Sequence, residues 1–170
     1  MKWIGALIII GITTWIGYDF SHNLSKRPKH IRQLKNALQI LEAEILYSQS
    51  PLIDAFETIS KQVPNPIQSF FQLLVHKMKE QGFNLTQLWD ECVNELINQS
   101  SLRMNEAEIL KQFGRTLGQH DFIQQQKSIQ LTVQHLDREL EDARDEQYKY
   151  SRMSKSLGLL SGIFIVLLLI

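Results

Sequence analysis

The chain has 170 residues, which is room for one domain and little more. Its 18 Lys and Arg residues balance 18 Asp and Glu residues, and this neutrality argues against a nucleic-acid binder, which normally needs a basic excess. A single cysteine, Cys92, excludes an internal disulfide and a cysteine-based zinc site. The chain has only 8 glycines and 4 prolines, and this small number favours helices over a turn-rich β architecture.

The first predicted element is an apolar segment over residues 3–18, which contains no charged residue. As a helix it would be roughly 24 Å long, against a hydrocarbon core about 30 Å thick. A cleaved signal peptide is the alternative, but bulky Tyr18 and Phe20 stand where a small-residue cleavage site is needed. We therefore expect residues 1–20 to be an uncleaved transmembrane anchor.

Residues 21–152 predict an all-α domain, a small antiparallel helical bundle. Its first helix begins near Pro28 and places apolar residues at three- and four-residue steps from Ile31 to Ile45. Ser50–Pro51 predicts an N-cap followed by proline at the first helical position, which opens a short helix. Because proline disfavours helix in the residue before it, the run 63–66 ends that helix.

Three further helices follow in the predicted bundle. The first contains the apolar stripe that starts at Phe70, and it ends at Gly82. Asn84 can cap the second, which ends before a loop at 98–101. A helix through Ala107 is closed by Gly118, which is well suited to a left-handed position after a helix end.

The last predicted helix is the longest, because neither glycine nor proline interrupts the chain from Asp121 to Leu157. Its apolar residues from Ile129 to Ala143 alternate in steps of four and three, which suits either a bundle face or a coiled-coil seam. The helix can be continuous with a second transmembrane segment over residues 153–170, whose last 14 residues are uncharged.

The positions of the cations predict the orientation of these two membrane segments. Ten Lys and Arg residues lie within 20 residues of the segments on the central side, while the far side holds only Lys2 and the amino terminus. By the positive-inside rule the bundle is expected in the cytoplasm. The cations expected closest to the membrane and its lipids are Lys26, Arg27, Lys29, Arg152 and Lys155.

The sequence contains no phosphate-binding loop, no dinucleotide-binding fingerprint and no H-E-x-x-H zinc motif. The five histidines fall on different predicted elements without metal-ligand spacing. Cys92 has Leu88 and Leu96 one helical turn away on either side, so it is interpreted as a small core residue rather than a nucleophile. We therefore expect no catalytic, cofactor or metal site, and a protein that is not an enzyme.

Three stretches of the sequence carry a family resemblance: RPKHIRQLKNALQILEAEILYSQSPL at 27–52, LKQFGRTLGQHD at 110–121 and KSLGLLSGIFIVLLLI at 155–170. Together they closely resemble the stage III sporulation protein AB family of endospore-forming bacteria. The likeness covers essentially the whole chain.

The resemblance implies a component of the channel complex that links mother cell and forespore during engulfment. The family is similar to the platform protein of type II secretion and type IV pilus machines. The implied partners are therefore a secretion-type cytoplasmic ATPase of the same operon and other membrane components of the channel. The implied location is the mother-cell membrane around the forespore.

Two hypotheses of function follow. In the first, the chain is a membrane platform that docks the ATPase near a polar group of four residues, Glu42, Glu44, Arg32 and Lys35. In the second, it is a membrane-tethered coiled-coil adaptor or signalling regulator that self-associates through the Ile129–Ala143 seam. A homo-oligomer is compatible with either hypothesis, whereas an integral-membrane enzyme has almost no support in the sequence.

Overall fold

A computed structural model describes residues 25–48, 50–80, 84–118 and 122–169. The part of the chain that it describes is all-α, as expected, with six α-helices, a short π-helical turn and no strand. The elements are α1 (Lys26–Ala43), the π turn (Glu44–Ser48), α2 (Leu52–Gln62), α3 (Ile67–Met78), α4 (Leu85–Gln99), α5 (Met104–Gly114) and α6 (Phe122–Leu169).

Residues Arg27–Glu141 form one compact unit, and the last helix from Asp142 onward belongs to a second unit. Within the first unit α2 packs on α3, α3 on α4 and α4 on α5, while α2 also meets the π turn. Helix α1 lies antiparallel to α6, because Arg27 contacts Glu139 whereas Glu42 contacts Gln126 and Gln130. The unit is therefore an antiparallel helical bundle.

The core of the bundle is built around Trp89, which is fully buried. Its ring meets Phe70 edge-on at a centroid distance of 5.2 Å and Phe113 at 5.6 Å, and it lies 6.0 Å from Phe56. Its indole N–H donates to the carbonyl oxygen of Leu110 over 2.8 Å, so the polar atom of this side chain is satisfied inside the core. One aromatic cluster thus joins α2, α3, α4 and α5.

Two local predictions are confirmed. The side-chain oxygen of Asn84 accepts hydrogen bonds from the backbone N–H groups of Thr86 and Gln87 at 3.0 and 3.3 Å, which makes it the N-cap of α4. Gly118 has φ of +73°, the left-handed conformation expected there, although α5 itself ends at Gly114 and Gly118 closes the turn that follows the helix.

Two other local predictions are wrong in detail. Pro51, not Ser50, directly precedes the first residue of α2, and no side chain caps this helix. The Ser50 hydroxyl instead donates to Glu44 over 3.3 Å. Helix α4 continues to Gln99, so the loop begins at Ser100 rather than at residue 98. Gly82 and Asp121, also predicted at helix ends, lie outside the described residues.

The backbone of α6 is helical without interruption from Phe122 to Leu169. Four members of its apolar seam, Ile129, Leu136, Leu140 and Ala143, are buried within the chain. This seam therefore serves internal packing, and its burial weakens the coiled-coil hypothesis, which needs the seam exposed for self-association.

Among the described residues, no helix combines the length and the apolar character needed to cross a bilayer. The predicted anchor over residues 1–20 lies outside the described residues.

Candidate functional site

The bundle contains a buried ion-pair cluster at the start of α1. The Arg27 guanidinium donates from Nε and Nη2 to Oε1 of Glu106, at 2.9 and 2.7 Å, and from Nη2 to Oε2 of Glu139 at 2.9 Å. The Arg27 side chain is 9% exposed and that of Glu106 is fully buried. Three helices, α1, α5 and α6, are thus joined through one side chain.

Glu106 also stabilises the start of α5. It is the third residue of this helix, and its Oε2 accepts the backbone N–H of Arg103 over 2.7 Å. A carboxylate in the first turn satisfies a donor that the helix itself leaves unpaired and interacts favourably with the helix dipole. Both oxygens of Glu106 are therefore engaged inside the protein.

The cluster includes one of the cations predicted to lie close to the membrane. Arg27 is buried and pairs with two carboxylates within the bundle, and its closeness to a membrane stays a prediction. Lys26 and Lys29, predicted beside it, are exposed. The side chains of Arg152 and Lys155 lie outside the described part of the chain.

A second contact fixes the same end of the bundle. The backbone N–H of Ser101, in the loop between α4 and α5, donates to Nδ1 of His30 over 3.1 Å. The start of α1 is therefore attached both to α5 and to the loop that precedes it. We call this the proximal end of the bundle, because the chain enters α1 there.

The four residues predicted to bind a partner are not brought together on one surface. Oε1 of Glu42 accepts from the side-chain amides of Gln126 and Gln130 at 3.1 and 2.8 Å, and Lys35 pairs with Asp137. Both therefore link α1 to α6.

The other two predicted residues differ in surroundings. Glu44 lies in the π turn and accepts from Ser50, whereas Arg32 is exposed on the outer side of α1. Of the four, Arg32 is thus the residue most available to a partner.

Helix α1 has an exposed side without any carboxylate. The exposed positions recur every three or four residues, so they form one stripe along the helix. We call it the outer stripe and define it as Lys29, Arg32, Asn36 and Gln39.

The distal end, at the far end of α1, exposes two large hydrophobic side chains. Tyr47, in the π turn, is 86% exposed, and Ile123, in the first turn of α6, is 63% exposed. The contact between Glu42 and Gln126 places both residues near the same end of the α1–α6 pair. Exposed aromatic side chains are enriched in binding surfaces, and π-helical turns often occur at functional sites.

Cys92 is 1% exposed, and burial raises the pKa of its thiol to about 11. Because the thiolate is the reactive form, this environment suits a core residue and not a nucleophile. Within the described ranges no group of three His, Cys, Asp or Glu residues could hold a metal ion.

Glu106, Tyr47 and the π turn are features that the sequence reasoning missed. A glutamate three residues after the N-cap is half of a known capping signal, but the other half is a Ser, Thr, Asp or Asn at the N-cap, where this chain has Arg103. The π turn leaves the apolar pattern intact, since Ile45 remains buried within it. Nothing in the periodicity signals it.

Comparisons with known proteins agree with this architecture. The profile of the family "Stage III sporulation protein AB (spore_III_AB)" matches residues 2–170. The chain is similar to the stage III sporulation protein AB of Bacillus subtilis (strain 168), with 40% identity over 169 residues and 99% of both chains covered. It is also similar to a solved structure of a stage III sporulation protein AB, with 40% identity and a TM-score of 0.68, covering 73% of this chain and 98% of that one. The chain belongs to the stage III sporulation protein AB family and has a role in sporulation.

Proposed function

We propose that this protein is a non-enzymatic membrane platform in a secretion-like channel complex between mother cell and forespore. The apolar terminal segments anchor it in the mother-cell membrane, and the bundle extends into the cytoplasm. The bundle docks a secretion-type cytoplasmic ATPase of the same operon, and other membrane components of the channel assemble around the anchors. The sequence has no phosphate-binding loop, and this supports the proposal. A platform without a nucleotide site needs a partner to supply the energy for transport.

The observation that carries the docking proposal is the exposure of Tyr47 and Ile123 at the distal end. A cytoplasmic ATPase would approach a membrane-anchored bundle from the end farthest from its anchors. The proximal end holds the start of α1, which follows the predicted anchor, so the distal end is the accessible one. Large hydrophobic side chains at the centre of an interface contribute most of its binding free energy.

Capture of the ATPase by the full-length membrane protein, with and without nucleotide, tests the docking surface. We expect the double variant Tyr47→Ala, Ile123→Ala to lower the affinity at least about tenfold, because each truncation of a central contact costs roughly 1–2 kcal/mol. A matched control removes two other exposed hydrophobic side chains, Tyr148 and Leu131. Equal capture by the double variant and the control would refute docking at the distal end.

A second experiment tests the residues predicted from the sequence. Reversing the charge of Glu42 and Glu44 adds two positive charges beside the distal surface and removes the acceptor for Gln126 and Gln130. We expect this variant to lose ATPase capture. Unchanged co-purification would exclude both glutamates from docking.

A further inference from the structure

The outer stripe of α1 presents hydrogen-bond donors over about 15 Å of helix, at ~1.5 Å per residue. It consists of two cations, Lys29 and Arg32, and two amides, Asn36 and Gln39. The single carboxylate of α1, Glu42, is turned to α6. This lateral surface therefore suits an acidic partner.

Helix α4 has the opposite chemistry, since it contains three carboxylates and no Lys or Arg. Two of them, Glu91 and Glu95, are exposed and line a groove of about 690 Å³ between α3 and α4. The one cation of this groove, Lys77, is already paired with Glu91 at 2.7 Å. Glu95 contacts only the amide of Gln99 within the described residues, so the groove retains one net negative charge.

The two surfaces lie on different sides of the bundle. In one direction Arg27 joins α1 directly to Glu106 of α5, and α5 packs on α4. In the other direction contacts lead from α4 to α3, then to α2 and to the π turn that follows α1. On either side at least one helix therefore separates α1 from α4, and no described contact joins the exposed outer stripe to the groove of the same chain. A second copy of the chain can supply a groove for this stripe.

The two surfaces also lie at the same level. The hydrogen bond between His30 and Ser101 fixes a common height for the start of α1 and the end of α4. From this level the chain runs away along α1, whereas in α4 it runs toward the level. Counting equal numbers of residues from this level places Arg32 opposite Gln99, Asn36 opposite Glu95 and Gln39 opposite Cys92, next to Glu91. Copies anchored in one membrane would share this height, so this step rests on the proposed function.

We propose that copies of this chain associate side by side, with the outer stripe of one copy in the α3–α4 groove of the next. Arg32 and the two amides donate to Glu95 and Glu91 of the neighbour. Because the two surfaces differ, the contact is heterologous, and repetition gives a ring or an open row of copies in the membrane. The distal end stays free in this arrangement.

Disulfide cross-linking of the full-length protein in membranes tests this contact. With Cys92 replaced by alanine, one tagged copy carries Asn36→Cys and a differently tagged copy carries Asn94→Cys, an exposed residue that lines the groove. We expect a mixed disulfide between the two tags and no dimer when either variant is expressed alone. Absence of the mixed product, or a 36–36 disulfide in its place, would overturn the proposal.

A charge-exchange cycle separates a lost contact from a misfolded variant. Arg32→Glu on the first copy, or Glu95→Arg on the second, is expected to reduce the mixed disulfide at least about tenfold, because like charges then face each other. Combining the two changes should restore it, whereas the control Arg115→Glu should have no effect. Failure of the combined change to restore the disulfide would reject the pairing. Since no ATPase is present, these outcomes are independent of ATPase docking.

Discussion

At the scale of single residues, the arrangement around Glu106 has the largest consequence for stability. Its carboxylate is fully buried, accepts two hydrogen bonds from the Arg27 guanidinium and caps α5 through the Arg103 N–H. A buried charge is tolerated only while it is paired, and removal of one partner leaves the other charge unpaired inside the protein.

We expect Glu106→Ala to lower the free energy of unfolding by about 3–5 kcal/mol, since Arg27 loses one of the two carboxylates that it contacts in the described part of the chain and α5 loses its cap. Thermal unfolding of the full-length protein in detergent, followed by circular dichroism, measures the change. Glu108→Ala is the matched control, because Glu108 is exposed on the same helix and should alter stability by no more than about 0.5 kcal/mol. Equal melting temperatures for the two variants would contradict the structural role of the cluster.

The same cluster shows where residue-level prediction from the sequence ends. Arg27 belongs by position to a run of cations after an apolar segment, and the run alone cannot indicate which of them is buried. Its partner Glu106 lies 79 residues away, and Glu42 lies 84 residues from Gln126. Pairings at this separation depend on the packing of whole helices. By contrast, Cys92 was correctly predicted to be buried, because its apolar neighbours lie on its own helix.

At the scale of helices, the sequence predicts local signals such as caps better than it predicts where two helices pack closely. The N-cap at Asn84 and the left-handed Gly118 follow from the chemistry of single residues, and both were predicted. The N-cap at Ser50 failed because its hydroxyl contacts Glu44 of the π turn instead. Gly114 illustrates a constraint that no local pattern reveals, namely the close approach of α4 and α5 at Trp89.

Gly114→Ala is expected to destabilise the protein, although alanine normally favours a helix over glycine by about 1 kcal/mol. A Cβ atom at this position would lie 2.2 Å from Cδ1 of Trp89, whose ring is fixed by three aromatic neighbours and by its hydrogen bond to Leu110. Overpacking of this kind costs about 1–3 kcal/mol, which exceeds the gain in helix propensity.

Chemical unfolding of the full-length protein measures the effect of Gly114→Ala. Gln72→Ala, on the exposed side of α3, serves as a surface control and should change stability by less than about 0.5 kcal/mol. A Gly114→Ala variant that is more stable than the wild type would show that the Trp89 ring can move aside.

At the scale of the whole molecule, the surfaces assigned to the proposed tasks lie at different places on the bundle. The proximal end is tied together by Arg27 and His30, the distal end exposes Tyr47 and Ile123, and the outer stripe lies on the side of α1. A platform needs this separation, since anchoring, ATPase docking and contact between copies must occur simultaneously. This arrangement works only if the bundle lies on the cytoplasmic side of the membrane and the terminal segments lie in it.

Cysteine labelling tests the topology. In a Cys92→Ala background, a cysteine is introduced near either terminus, at Lys2 or Ile170, or in the bundle at Tyr47. In inverted membrane vesicles, which expose the cytoplasmic side, a membrane-impermeant maleimide should label the residue-47 variant and neither terminal one. We expect this pattern because Lys and Arg residues are in excess between the two apolar segments, and such an excess keeps the part of the chain that carries it in the cytoplasm. Labelling of both termini from the cytoplasmic side alone would show that neither segment carries its end into or across the bilayer, and the platform proposal would lose its anchors.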